Sequence, residues 1–150
     1  VSAVSERLGA VPPPRGSGGP RLLVLEASEC WELLRSQEVG RLVYTDAALP
    51  AVVPVAYAVV GDEIVVAATP GDKVATASRG SVVAFEVDSF DPGSRTGWSV
   101  TAVGPARLLS DPHLALQLRD KGLVPWAPAP VSHLLVITVG VLSGRRLARP

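Results

Sequence analysis

A mainly β barrel with short peripheral helices is the fold this sequence predicts. Three observations carry that expectation: about six strand-like runs, turns of two to five residues between several of them, and long strands interrupted by Gly and Pro. Short connections require antiparallel neighbours, and a bend at Gly104-Pro105 favours closure over an open sheet. Composition agrees, because 47% hydrophobic and 19% charged residues in a chain of 150 suffice for one buried core.

Residues 1–21 read as a flexible arm, since Val11-Pro-Pro-Pro-Arg-Gly-Ser-Gly-Gly-Pro20 forbids a helix and offers little to pack; residues 22–150 form the folded domain. Ser28 is the expected N-cap of a short helix that carries Cys30, Trp31, Leu33 and Leu34, with Glu29 and Glu32 in its first turn. Gly40 marks a break before a strand from Arg41 to Thr45, and a longer strand runs from Ala51 to Val60. Gly61-Asp62 suits a type II′ turn, which pairs that strand with Glu63–Thr69. Asp72 caps a short helix from Lys73 to Arg79, stopped by Gly80.

The next strand, Ser81 to Phe90, places Val83, Phe85 and Val87 on a core face and Val82, Ala84, Glu86 and Asp88 on a partly wet one. After the turn Asp91-Pro-Gly-Ser94 comes the strand Gly97–Leu109. Asp111-Pro112 starts a helix bearing Leu114, Ala115 and Leu118, which Gly122 ends. Val124–Pro130 is a proline-rich loop, and His133–Gly140 is the last strand, leading into Ser143-Gly-Arg-Arg146.

Charge and cysteine content exclude several classes. Fourteen basic residues balance 14 acidic ones, so the chain lacks the cationic surplus that phosphate polymers demand, and nucleic acid is not an expected partner. Cys30 stands alone and, with His113 and His133, makes no zinc-ligand spacing. No apolar run approaches the roughly 18 residues of a membrane span, and no basic segment followed by a hydrophobic stretch opens the chain; the expectation is a soluble, cytoplasmic protein.

The order of segments resembles the FMN-binding split barrels related to pyridoxamine 5′-phosphate oxidase. The resemblance runs from about Leu25 to Leu147 and rests on Glu38-Val-Gly-Arg-Leu-Val-Tyr44, Pro54-Val-Ala-Tyr57, Thr69-Pro-Gly-Asp-Lys73, Val83-Ala-Phe-Glu-Val-Asp88, Gly97-Trp-Ser-Val100 with Gly104, and the closing Ser143-Gly-Arg-Arg146. It implies a homodimer of six-stranded antiparallel split barrels, with FMN in grooves between the subunits and a small-molecule substrate. Thr69 and Lys73 would hold the FMN phosphate at a helix start, where free N–H groups already favour an anion. Pro54, Val55, Ala56 and Tyr57 would run beside the flavin ring and offer main-chain contacts. The second subunit would bring Trp98 and Ser99, with Arg95 nearby.

The resemblance implies an FMN-dependent oxidoreductase in which the cofactor moves the electrons, and no acid–base pair or nucleophile stands out in the chain. Glu86 and Asp88 read as a polar outer strand face, and Arg79 and Arg107 as solvated surface residues. The run before Lys73 carries no arginine, unlike the oxidases of pyridoxamine phosphate, so vitamin B6 oxidation is not the expected reaction and the substrate is unassigned. Two alternatives stand: a reductase using coenzyme F420, and a non-enzymatic dimeric barrel that holds flavin or heme.

Overall fold

The structure, a computed structural model, describes residues 18–68, 80–126 and 133–150. In chain order these form β1 (Arg21–Val24), α1 (Ala27–Arg35), β2 (Val39–Asp46), β3 (Leu49–Val60), β4 (Glu63–Ala68), β5 (Val82–Asp91), β6 (Thr96–Leu108), α2 (Pro112–Asp120), β7 (His133–Thr138) and β8 (Val141–Ala148). The helix expected over Lys73–Arg79 lies outside the described residues, as does most of the 124–130 loop.

Strand alternation closes the sheet. β6, β5, β2, β3, β4 and β7 are hydrogen-bonded in that order, and β7 returns to β6, so the six strands read from the sequence make a ring. Inward side chains of this ring, among them Leu42, Val55, Tyr57, Ile64, Val66, Phe85, Val87 and Val100, form the core. Fully burying one such Leu or Phe contributes about 1.5–3 kcal/mol. Cys30 and Leu34 of α1 join the same core. Burial first, and the nearby Glu29 second, push the Cys30 thiol up, so it packs as a small apolar group rather than a nucleophile.

β4 is buried on both faces because the ring is not the only layer. Ile64 and Val66 point into the barrel, whereas Val65 and Ala67 meet Leu118, Leu123, Leu134 and Val136 in a second cluster under α2. Asp111 caps that helix as expected, its carboxylate accepting from the N–H groups of His113 and Leu114 at 2.9 and 3.2 Å. The Gly61-Asp62 hairpin also forms, with positive φ at Gly61 and not at Asp62, the pattern of a type II′ turn.

Three expectations need correction. α1 is capped by Glu26, which exchanges a capping box with Glu29; Ser28 already lies inside the helix. Gly40 does not break the chain but sits within β2, where a Cβ would collide with the Phe85 ring. Ser143-Gly-Arg-Arg146 is part of β8, and together with β1 it adds two strands to the six expected. At Gly104-Pro105, β6 stays continuous and exchanges β8 for β7 as its partner, with Gly104 pressed against the Thr138 carbonyl.

Candidate functional site

β3 positions the site through its backbone. The Tyr57 N–H donates to the Glu38 carbonyl at 3.1 Å, so Tyr57, Val55 and Val53 turn their backbone groups toward β2. Pro54, Val52 and Pro50 turn theirs to the opposite edge. Prolines are tolerated there because they have no N–H to place in the β2 ladder. Among the described residues β4 pairs with β3 only from Ala56 to Val60, so the Pro54 carbonyl and both Val52 groups have no strand partner among those residues. That edge offers acceptors and a donor to any ligand lying along it.

The outward face of the same strand is lined by small residues. Ala56, Ala58 and Val60 form the floor of a groove of about 480 Å³ whose other wall is α2, with Leu114, Gln117, Leu118 and Lys121. Glu38 and Trp126 stand at its mouth and also border a second hollow of about 360 Å³ over Ser36–Val39. Such a volume matches small-molecule sites.

Of the residues proposed from the sequence, Ala56 and Tyr57 line this groove and Pro54 is exposed next to it. The Tyr57 side chain points the other way. Its hydroxyl donates to the Leu34 carbonyl, its ring meets Phe85 edge-on at 4.8 Å, and burial pushes its pKa up. Tyr57 therefore borders the groove without offering it a polar group, since its N–H is already given to Glu38, and Val55 is likewise a core side chain. Thr69 and Lys73 lie outside the described residues.

Trp98, Ser99 and Arg95 are not brought to the groove within one chain. β6 stands three strands from β3, about 14 Å at ordinary strand spacing. Trp98 packs inward beside its cross-strand neighbour Arg146, whose Nε is buried without a hydrogen-bond partner among the described residues. Ser99 faces outward between Asp88 and Arg145, and Arg95 is exposed in the β5–β6 turn with φ of 56°. The outer face between β6 and β3 carries Arg41, whose guanidinium donates to Glu86 at 3.2 Å and to Asp88 at 3.1 Å, an ion cluster rather than an acid–base pair. Arg107, expected to be solvated, donates to Glu63 at 3.2 Å.

Sequence reasoning missed Glu38 as a groove residue, and also Gln117, Lys121 and Trp126. They come from three separate segments and meet only through the packing of α2 on β3 and β4. The one available signal was Trp126, a large aromatic residue in a proline-rich loop.

Comparison with known proteins follows the same outline. The family model described as pyridoxamine 5′-phosphate oxidase matches residues 26–146. An uncharacterized Mycobacterium tuberculosis protein, Rv0080, is 37% identical over 128 residues, which is 82% of this chain and 84% of that one. Among solved structures, a FAD-binding protein from Mesorhizobium loti superposes with a TM-score of 0.71 at 27% identity, covering 87% of this chain and 99% of that one. A FAD-binding protein from Mycobacterium smegmatis gives a TM-score of 0.66 at 27% identity, covering 84% and 98% respectively. No helix among the described residues is long and apolar enough to cross a membrane.

Proposed function

This chain belongs to the pyridoxamine 5′-phosphate oxidase family, and from that premise we propose that it is a flavin-binding oxidoreductase that holds FMN along β3. The edge at Val52–Pro54, unpaired among the described residues, is the observation that carries the reading, because a flavin ring presents both carbonyl oxygens and a ring N–H along one side. The Pro54 carbonyl and the Val52 N–H and carbonyl supply complementary groups without distorting the sheet. Ala56, having only a methyl group, leaves room for a flat ring on the outward face.

The other contacts come from two further regions. Lys73 and Thr69 bind the phosphate, as the resemblance implies. A second copy of the chain brings the Trp98-Ser99 segment through the outward Ser99, with Arg95 nearby; one chain keeps these about three strands away, and the Trp98 ring packs inward behind them. Bound flavin supplies hydride or single-electron transfer; the protein orients it, screens it from water and sets its electrostatic surroundings.

A second reading has its own support: two solved structures at 27% identity are named as FAD-binding. The test is the absorption spectrum of freshly purified protein, followed by mass measurement of the released cofactor. FMN is expected. FAD would favour the second reading, a single shifted band would indicate coenzyme F420, and a Soret peak heme. Colourless protein that also fails to bind added FMN would overturn the flavin reading. Lys73→Ala is expected to weaken FMN binding by about 1–3 kcal/mol, measured by fluorescence titration, the range for losing a charge-assisted hydrogen bond.

A further inference from the structure

The groove extends beyond the part of β3 that the flavin reading uses. Pro54 and the edge unpaired among the described residues lie toward one end; Ala58 and Val60, beside α2, lie toward the other, and the FMN contacts named above on β3 stop at Ala56. This second half has a flat apolar floor, because Ala58 has no side chain beyond Cβ. Trp126 also lines the groove, with 75% of its surface exposed, although an indole is among the side chains that gain most from being covered. Lys121, at the end of α2, has no carboxylate partner among the described residues. The charges are also divided. Glu38 sits where the groove meets the second hollow, whereas Lys121 borders the groove alone.

We propose that this half of the groove is a second ligand site, for a planar aromatic molecule bearing one anionic group. Its ring lies on the Ala58 floor against Trp126, and its anion pairs with Lys121. Aromaticity follows from the exposed indole face and the flat floor, since stacking rewards a ring more than a bulky aliphatic group. One negative charge follows from Lys121, the one groove cation without a carboxylate partner among the described residues, because a second would face Glu38. Only the ligand's role as the reactant that meets the cofactor rests on the flavin reading; binding itself needs no flavin.

Calorimetric titration of the full chain with 2-naphthoate, neutral 2-naphthalenemethanol and cyclohexanecarboxylate tests the site. Naphthoate is expected to bind tightest. Lys121→Gln should weaken it about fivefold and leave the neutral naphthyl compound unchanged, and Trp126→Leu should weaken both naphthyl ligands about tenfold. Trp126 is exposed, so circular dichroism should show both variants folded. Equal binding of the neutral and anionic naphthyl compounds, or no loss in Trp126→Leu, would overturn the proposal. Repeating the titration on FMN-saturated protein separates the two readings. Retained naphthoate binding supports a second site, whereas displacement by FMN makes the groove the cofactor's own seat and overturns it. Protein that binds naphthoate with this pattern but never FMN keeps the site and loses the flavin reading. If naphthoate fails to bind and Trp126→Leu shifts a dimer toward monomer in light scattering, a second copy covers the groove and the proposal falls.

Discussion

Along β3 the inward side chains Val53, Val55, Tyr57 and Val59 are branched or aromatic and fill the barrel, whereas the outward Pro54, Ala56 and Ala58 are small and border a groove. One strand thus serves two masters through its two-residue period. Volume was placed where a core had to be filled and withheld where α2 would otherwise have closed onto the sheet. The outer face of the neighbouring strands differs again, with Arg41, Glu86 and Asp88 clustered where the inner face has Leu42, Phe85 and Val87.

The inner face should be the fragile one. Tyr57→Ala removes a packed ring and is expected to cost about 3–5 kcal/mol in urea denaturation, since its site cannot collapse. Tyr57→Phe keeps the packing but leaves the Leu34 carbonyl without its donor, for about 1 kcal/mol. A Tyr57→Ala loss below about 1 kcal/mol would erase the distinction between the two faces.

On the outer face, removing charge should stabilise. Burial, reinforced by Asp88 and opposed by Arg41, raises the Glu86 carboxyl to about 7 from an ordinary 4.5. Between those values the folded protein holds a proton that the unfolded chain has released, so this group's contribution declines as pH rises from 4.5 to about 7 and stays low above that. Glu86→Gln should abolish the decline and stabilise the protein by about 1 kcal/mol at alkaline pH. Denaturation midpoints compared at about pH 5 and about pH 8 check this; an unchanged slope in the variant would place the pH dependence elsewhere.

The smallest effect belongs to neither face. Ala47 and Ala48 join β2 to β3 with φ of 48° and 64°, a left-handed pair that costs an L-residue energy at each position. Ala48→Gly should relieve one of them for a net gain of about 0.5 kcal/mol, because glycine's greater unfolded freedom offsets part of the relief. A lower thermal midpoint in the variant would reject the strain.

How far the site could be read from the chain depends on the range of its contacts. The ring strands were legible because alternation and turn residues are local: Val83, Phe85 and Val87 face inward as their spacing requires. The same holds for Asp111 at the start of α2 and for Gly61 in its turn. Gly40 misled because its requirement is distant, the Phe85 ring on another strand. β8 was missed because Val141-Leu-Ser-Gly-Arg-Arg-Leu-Ala148 has little apolar alternation and is ordered by pairing with β1 and β6. Ala56 and Tyr57, which line the groove, belong to a local motif, whereas Lys121 and Trp126 carry no local sign of their meeting.

The sequence by itself determined the six ring strands, several of the turns that join them and which of their faces would be apolar, because these follow from neighbours within a few positions. Tertiary structure alone decided that β1 and β8 join the sheet, that β6 exchanges β8 for β7 as its partner, and that α2 roofs a groove over β3. The physical reason is one of separation: partners far apart in the chain are selected by the fit of whole faces, and no short stretch of residues encodes that fit.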